Sequence, residues 1–277
     1  MKAKLFSYNL VDTYVHRLSG LTKLICFLCL TFAVMFSYDI RINIGVLLFS
    51  FMLLKVSKIK FSQIKVMLIY VLIFLVTNIV LTYFFSPEEG VQIYGTRHEI
   101  AHLFGNYTIT VEQIFYLITK FFKYASVVPL GIIFLLTTNP SEFAAALSGI
   151  GVSYKASYAV ALTLRYFPDV QREYHDISLS QQARGLEMSS KAKLWDRFKN
   201  SLLIVIPLIF STLDRIENIG DAMDLRGFGK GKKRTWYNRK NFTKEDYVAI
   251  AVSAGIFIAT ICITIFVNKS RFYNPFM

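Results

Sequence analysis

Two arginine–glycine pairs are the residues of this chain whose type and position best fit a binding function. Arg184 precedes Gly185, and Arg226 precedes Gly227, 42 positions further along (226 − 184). A guanidinium carries a planar set of N–H donors that can hold a carboxylate through two parallel hydrogen bonds, which a lysine cannot do. The duplication predicts two similar contacts, as a dimeric partner would supply.

Helix capping is a second explanation of the same pairs. An arginine in the last turn complements the helix dipole, and a glycine after it adopts the left-handed conformation that ends a helix. Each arginine also continues an apolar stripe, since Arg184 lies seven positions after Ile177 and Arg226 seven after Ile219. This placement favours contact sites over capping alone.

Two long helices are predicted to position the pairs, over residues 154–184 and 196–226. Each would be roughly 45 Å long, with a bend predicted at Pro168 and at Pro207. Apolar residues recur every three or four positions, which predicts one buried and one wet face: Phe167, Val170, Tyr174 and Ile177, then Ile206, Ile209, Leu213, Ile216, Ile219 and Met223. The carboxylates off the second stripe argue against a simple membrane span: Asp214, Glu217, Asp221 and Asp224.

The composition is that of a polytopic membrane protein. Hydrophobic residues make up 54% of the chain, aromatic residues 16%, and the mean hydropathy is +0.45, which is too apolar for an ordinary soluble domain. The formal net charge of +13 comes from lysines and arginines clustered beside apolar runs, so it indicates a lipid bilayer as partner and no nucleic acid. Runs of near-bilayer length lie at residues 21–38, 42–56, 64–85, 114–136 and 247–267.

These patterns predict an all-α polytopic membrane protein with about five transmembrane helices and a cytoplasmic domain of long amphipathic helices. The predicted regions are residues 1–136, the N-terminal transmembrane helices; 137–245, the cytoplasmic helices; and 246–277, the last transmembrane helix and tail. A short amphipathic helix is expected to open the cytoplasmic region, with Pro140 in its first turn.

Charge also predicts which loops face the cytoplasm. Segment 55–60 carries three lysines and is placed inside, whereas segment 86–110 carries three glutamates against one arginine and is placed outside. Turn residues and short β-branched pieces in the outer loop predict a small hairpin.

Two histidines in the outer loop, His98 and His102, have a spacing that binds metal ions when it falls on a helix. Gly90 and Gly105 disfavour a helix there. The sequence therefore favours two solvated loop histidines.

Neither a metal nor a cofactor is expected elsewhere. Cys26 and Cys29 form a C-x-x-C pattern, but it lies in an apolar run without a nearby histidine or carboxylate. The glycine-rich segment 227–232 lacks the spacing, and the Ser or Thr, of a phosphate-binding loop. Any ATP hydrolysis must therefore take place in another polypeptide.

An enzyme would have to use His175 with the carboxylates of Asp169, Glu173 or Asp176. No Ser or Cys nucleophile motif accompanies them. A solvated helix face is the favoured interpretation, and the chain is predicted to be non-catalytic.

A self-sufficient membrane carrier or channel is the remaining alternative. It would need polar or ionisable groups inside its spans, and often two related halves. Lys120 and Lys123 are the main candidates in the spans before residue 136.

Several segments together resemble one known family, the T components of energy-coupling factor transporters (EcfT/CbiQ-like). Residues 16–24 resemble its N-terminal Leu-Asp-Pro-Arg-x-Lys-Leu segment, with Ser19-Gly20-Leu21 in place of Asp-Pro-Arg. Residues 138–143 and 164–168 resemble the start of its first coupling helix and the Arg-x-x-Pro of its second. Its two Ala-Arg-Gly-like motifs correspond to Ala183-Arg184-Gly185 and Leu225-Arg226-Gly227.

The resemblance implies a complex with two cytoplasmic ABC ATPases and a small membrane subunit, the S component, that binds a vitamin or a metal ion. The chain would be the multi-pass scaffold in the cell membrane, and the helices over residues 137–245 would be its coupling helices. The implied ATPase-docking residues are Ala183, Arg184, Gly185, Leu225, Arg226 and Gly227. The nutrient would be chosen by another polypeptide.

Overall fold

The computed structural model describes residues 13–59, 61–104, 107–186, 194–231, 235–236 and 240–276. The helices within them are α1 (Tyr14–Arg17), α2 (Gly20–Phe36), α3 (Ile40–Val56), α4 (Phe61–Phe85), α5 (Glu89–Tyr94), α6 (Val111–Thr137), α7 (Pro140–Gly149), α8 (Tyr154–Ala183), α9 (Leu194–Leu225) and α10 (Lys244–Cys262); α10 continues as a π-helical turn, Ile263–Val267. The strands are β1 (Glu99–Phe104) and β2 (Tyr107–Thr110). The chain divides into two compact units, the first Met1–Asn139 with Lys240–Met277 and the second Pro140–Arg239.

Helices form at all five positions where spans were predicted. Three are long and apolar enough to cross a bilayer: α4, α6, and α10 with its π-helical turn. Helices α2 and α3 have 17 residues each, or about 26 Å of rise against about 30 Å of hydrocarbon. The chain is thus a multi-pass membrane protein. The predicted limits of its functional regions, after residues 136 and 245, stay a prediction.

The core of the first unit lies where α2, α3 and α6 meet. Leu30, Val34, Val46 and Leu130 form one buried apolar cluster. Beside it the Ser126 hydroxyl of α6 donates to the Asn43 carbonyl of α3 at 2.7 Å. Small polar residues at such a contact let two membrane helices approach closely.

One end of this unit, here called the basal end, is where α2 and α10 begin and α6 ends. The Lys23 amine donates to the carbonyls of Thr137, at 2.8 Å, and His16, at 3.2 Å. The Ser19 amide donates to Asp246 Oδ1 at 2.8 Å, and Asp246 also forms the capping box of α10 with Thr243. Lys23 in the first turn of α2 and Ser19 just before it therefore tie three helix ends together.

The opposite end, here called the hairpin end, carries the antiparallel pair β1–β2. The hairpin prediction is confirmed, so the helical fold includes a small sheet. Glu112, fully buried, accepts hydrogen bonds from the His98 amide at 3.1 Å and from His98 Nδ1 at 2.6 Å. The prediction of two solvated histidines is confirmed, since His98 and His102 are both exposed, and the buried Glu112 carboxylate additionally orients the His98 ring.

The C-terminal tail, residues 268–276, folds back over the hairpin end. The Tyr38 amide donates to the Arg271 carbonyl at 2.8 Å. The Phe276 ring lies 5.7 Å from that of Tyr94 and 5.9 Å from that of Phe115. Four separated parts of the chain, the loop from α2 to α3, α5, α6 and the tail, are held together there.

The loop from α2 to α3 is held to the same tail by Asp39. This residue is fully buried and accepts from Arg41 Nη2 at 2.8 Å and from Asn268 Nδ2 at 2.9 Å. Burial raises the pKa of Asp39, but the hydrogen bonds from Arg41 and Asn268 outweigh it and hold that pKa below its usual value. The carboxylate is therefore charged at neutral pH and can bind both partners.

In the second unit, α7 begins at Pro140, as predicted from the sequence. Helices α8 and α9 have 30 and 32 residues, and Pro168 and Pro207 lie inside them. The stripe residues predicted to be buried are largely exposed, with Phe167 at 52%, Ile209 at 51% and Ile216 at 59%. The periodicity correctly predicts helices, but the burial prediction is wrong, because other parts of this chain leave most of the stripe residues exposed.

Removing the Phe276 ring is expected to destabilise the hairpin end. Phe276→Ala should lower the free energy of unfolding by about 1–3 kcal/mol, because the half-buried ring leaves a gap beside Tyr94 and Phe115. Phe266→Ala is the matched control, since Phe266 is 76% exposed. Thermal unfolding in detergent checks both; equal midpoints for the two variants would contradict the role given to the tail.

The predicted topology can be tested at positions whose side chains the structure exposes. In a background without the three native cysteines, cysteines replacing Lys55 or Ser180 should resist an impermeant thiol reagent on intact cells. A cysteine replacing His102 should react, because the hairpin end is predicted to face outward. Labelling at Lys55 or Ser180 with an unlabelled His102 position would reverse the topology.

Candidate functional site

Helix α8 ends in a Schellman cap built around the first arginine–glycine pair. Arg184 is the C-cap residue, and Gly185 follows with φ +90°. The Gly185 amide donates to the Gln182 carbonyl at 3.0 Å, and the Leu186 amide to the Gln181 carbonyl at 3.1 Å. This pair of bonds defines the motif and satisfies carbonyls at the end of the helix.

Helix α9 ends in the same way. Gly227 has φ +67°. Its amide donates to the Asp224 carbonyl at 2.9 Å, and the Phe228 amide to the Met223 carbonyl at 2.9 Å. Arg226 stands where Arg184 does, so the two pairs share one backbone arrangement.

This arrangement reconciles the two explanations of the pairs. The glycines cap the helices, because a positive φ is accessible to glycine at little cost. The arginines are not needed for the cap, and both are exposed. Leu225, beside Arg226, is 90% exposed. The caps therefore fix the backbone from which exposed guanidinium groups extend.

Helices α8 and α9 run antiparallel. Glu173 of α8 accepts from Arg215 Nη2 of α9 at 3.1 Å and from the Ser211 hydroxyl. The Arg215 guanidinium also lies 5.9 Å from the ring centroid of Tyr166. Glu173, a candidate acid of the enzyme alternative, thus serves to fasten the two helices together.

The second motif is fixed against the start of α8 by an aromatic cluster. The Phe228 ring lies 4.9 Å from that of Tyr158 and 5.7 Å from that of Tyr154. Sequence analysis missed this residue. The signal was present, since Leu186 and Phe228 stand directly after the two glycines, where Schellman caps commonly carry an apolar residue.

The antiparallel pairing places the two motifs at opposite ends of the helix pair. Phe228 is beside Tyr158, whereas Arg184 follows the last residue of the same helix, 26 positions away (184 − 158). That separation corresponds to about 40 Å along α8. The structure brings Ala183, Arg184 and Gly185 together, and Leu225, Arg226 and Gly227 together, but it keeps the two sets apart.

The exposed stripes of α8 and α9 are the other unusual surface of the second unit. Ile206, Leu213 and Phe210 of α9 are 51%, 53% and 64% exposed. An apolar surface of this kind, bordered by polar residues, is typical of a contact with another protein or with a membrane.

The residues of the enzyme alternative do not form a site. Asp169 pairs with Arg172 at 3.4 Å, and His175 is exposed. Among the described residues there is no group of three His, Cys, Asp or Glu side chains that could hold a metal ion. The C-x-x-C cysteine Cys26 instead accepts from the Ser253 hydroxyl at 3.3 Å.

The lysines considered for a carrier are engaged in contacts between helices. Lys120 donates to the Thr82 hydroxyl at 2.7 Å, and Lys123 to the Met35 carbonyl at 2.8 Å. Of the basic cluster that precedes α10 in sequence, residues 232–234 and 239 lie outside the described residues, as does Glu187 after the first motif.

Comparison with known proteins gives a consistent result. The profile of a family named CbiQ and described as "Cobalt transport protein" matches residues 12–237. Relatives named "Energy-coupling factor transporter transmembrane protein EcfT" occur in Exiguobacterium sibiricum, 25% identical over 89% of this chain and 94% of the relative, and in Bacillus selenitireducens, 27% identical over 87% and 89%. One from Staphylococcus aureus is 24% identical over 97% of this chain and 98% of its own length.

The aromatic anchor of the second motif yields a prediction. Phe228→Ala should lower the free energy of unfolding by about 1–2 kcal/mol, because the half-buried ring leaves a gap against Tyr154 and Tyr158. Leu225→Ala, three positions earlier and almost fully exposed, should change it by less than about 0.5 kcal/mol. Chemical denaturation checks the difference, and equal losses would contradict the anchor.

Proposed function

The chain belongs to the CbiQ, or cobalt transport protein, family, and on this premise we propose that it couples ATP hydrolysis in two partner subunits to nutrient uptake. It is a multi-pass transmembrane component of the energy-coupling factor type. The proposed partners are two cytoplasmic ABC ATPases and a small membrane subunit that binds the nutrient. Vitamins and metal ions are the proposed substrates.

The repeated cap geometry carries this proposal. Two exposed arginines stand on the same Schellman backbone at opposite ends of one antiparallel pair, about 40 Å apart. A spacing of that size suits two separate protein subunits better than one small ligand. Two equal sites call for two similar partners, and a pair of ATPases of one fold meets that requirement.

Docking would proceed through Ala183, Arg184 and Gly185 on one ATPase and Leu225, Arg226 and Gly227 on the other. Each guanidinium would enter a groove and bind a carboxylate through its two parallel N–H groups. The glycine turns the backbone that follows it away from the arginine. The residue before each arginine, Ala183 or Leu225, is small or exposed and leaves room for the partner.

Force would travel through the helices that join these sites. Because Glu173 binds both Ser211 and Arg215, α8 and α9 are fastened near their middles. Approach of the two ATPases would then move both helices as a pair. Their exposed apolar stripes would transmit this movement to the nutrient-binding subunit in the membrane.

Catalysis is assigned to the partners. The sequence has no phosphate-binding loop, and the described residues contain no nucleophile set around His175. A self-sufficient carrier is not favoured by any contact in the described residues, because Lys120 and Lys123 bind groups of neighbouring helices.

Loss of the arginines should release the ATPases. Each of Arg184→Ala and Arg226→Ala should weaken its contact by about 2–5 kcal/mol, because the partner carboxylate stays buried without a counterion. Lysine at either position should rescue only in part, since it keeps the charge and loses the second parallel hydrogen bond. Co-purification of the ATPases and nutrient uptake are the measurements.

Arg172→Ala is the matched control, an arginine of α8 whose side chain is 79% exposed and pairs, among the described residues, with Asp169 three positions earlier. The control should keep wild-type uptake. A double variant of Arg184 and Arg226 that retains both ATPases and full uptake would reduce the two pairs to helix caps.

A further inference from the structure

An apolar cavity of about 240 Å³ lies in the basal half of the first unit. Its walls come from α1, α2, α3, α6 and α10, and they include the aromatic rings of Phe27, Phe49 and Phe134. The Phe27 and Phe134 rings stack at 5.0 Å, so this part of the wall is well packed. The cavity is a space between these helices that is open on part of its boundary.

The way α10 packs explains why the space exists. Helix α10 lies along α2, and the residues that it turns toward the cavity include the small Ala249 and Ser253. The Ser253 hydroxyl donates to Cys26 across the α2–α10 contact at 3.3 Å. Small side chains on this wall leave room that larger ones would fill.

Most polar groups of the wall are already bound within the chain, although the buried Thr137 hydroxyl has no hydrogen-bond partner among the described residues. The Lys23 amine reaches the Thr137 and His16 carbonyls, and Ser253 also donates to the Ala249 carbonyl. A polar or charged ligand would find few partners inside. Hydrocarbon, by contrast, needs none, and it surrounds a membrane-spanning bundle.

The basal rim of the cavity is basic. Lys244 stands one turn before the wall residue Val248 and therefore on the same face of α10, and Lys55 lies in the last turn of α3, at the basal end. Lys240 Nζ donates to the His16 carbonyl at 3.4 Å, which places a third amine at this end. Asp246, the nearest buried carboxylate, is held by the Ser19 and Thr243 amides.

We propose that this cavity binds one acyl chain of an anionic phospholipid whose headgroup lies against the lysines of the basal rim. The apolar walls favour binding of a hydrocarbon acyl chain, and lysines next to a membrane surface favour an anionic headgroup. The predicted topology puts the basal end on the cytoplasmic side, so the lipid comes from that leaflet. The bound acyl chain fills the space between α10 and the core.

A variant that fills the cavity tests the proposal. The full-length chain is purified in detergent, mixed with phosphatidylglycerol or phosphatidylcholine, and examined by native mass spectrometry. The wild type should bind phosphatidylglycerol at least about tenfold more tightly than phosphatidylcholine, which is about 1.4 kcal/mol. Ala249→Leu should abolish this binding, whereas Ala251→Leu, the same change at an exposed position of α10, should preserve it.

The headgroup contact is tested at the rim. The double variant Lys55→Gln with Lys244→Gln should bind both lipids alike, while Lys269→Gln, an exposed lysine at the hairpin end, should keep the preference. Equal affinity of the wild type for both lipids would overturn the headgroup assignment. Unchanged phosphatidylglycerol binding by Ala249→Leu would overturn the cavity assignment.

The natural thiol in the wall provides a second readout that does not depend on mass spectrometry. With Cys29 and Cys262 replaced by alanine, Cys26 is alkylated in vesicles of either lipid. Phosphatidylglycerol should slow the reaction at least about tenfold relative to phosphatidylcholine, and Ala249→Leu should remove the difference. Equal alkylation rates in the two lipids would contradict occupancy of the cavity. None of these measurements requires the ATPases, so failure here leaves the proposed coupling function intact.

Discussion

The last carbonyl groups of a helix have no hydrogen-bond partner within that helix, and the groups that satisfy them determine how the helices of this protein are joined. In the first unit, Lys23 satisfies the end of α6 by donating to the Thr137 carbonyl, at a site where both residues are buried from solvent. In the second unit, the ends of α8 and α9 turn back on themselves through Gly185 and Gly227. The lysine contact joins helices into a bundle, whereas the glycine cap leaves the helix end accessible to a partner protein.

These two solutions have different mechanical consequences. A lysine that binds the end of another helix resists separation, because breaking the contact leaves a buried amine without its acceptor. A Schellman cap needs no neighbour, so it can end an exposed helix without disorder in its last turn. Helices α8 and α9 are therefore able to remain helical to their last turns while being fastened through Glu173, Ser211 and Arg215. Such a pair can transmit displacement over its length.

Features set by neighbours in sequence could be predicted, and those set by distant contacts could not. Helix positions, the hairpin and the glycine caps follow from periodicity and turn residues within a few positions. The contact of Phe276 with Tyr94, and of Ser19 with Asp246, joins residues far apart along the chain. No local pattern encodes those pairings. Burial of the α8 and α9 stripes was wrongly predicted for a related reason, since periodicity identifies an apolar face but not the molecule that covers it.

Charge distinguishes what can cover the exposed apolar surfaces. Around α4 the exposed residues include Tyr70, Phe74 and Val80, at 70%, 65% and 59%, and its final four turns contain no Asp, Glu, Lys, Arg or His. Hydrocarbon can cover the whole exposed side of such a helix. The stripe of α9 is different, because Asp214 and Asp221 are exposed on the same helix. Carboxylates are too costly in hydrocarbon, so only one side of α9 can meet an apolar partner while the other stays in water. A partner that covers this stripe must therefore approach from one side, as a subunit that moves with the helix would do.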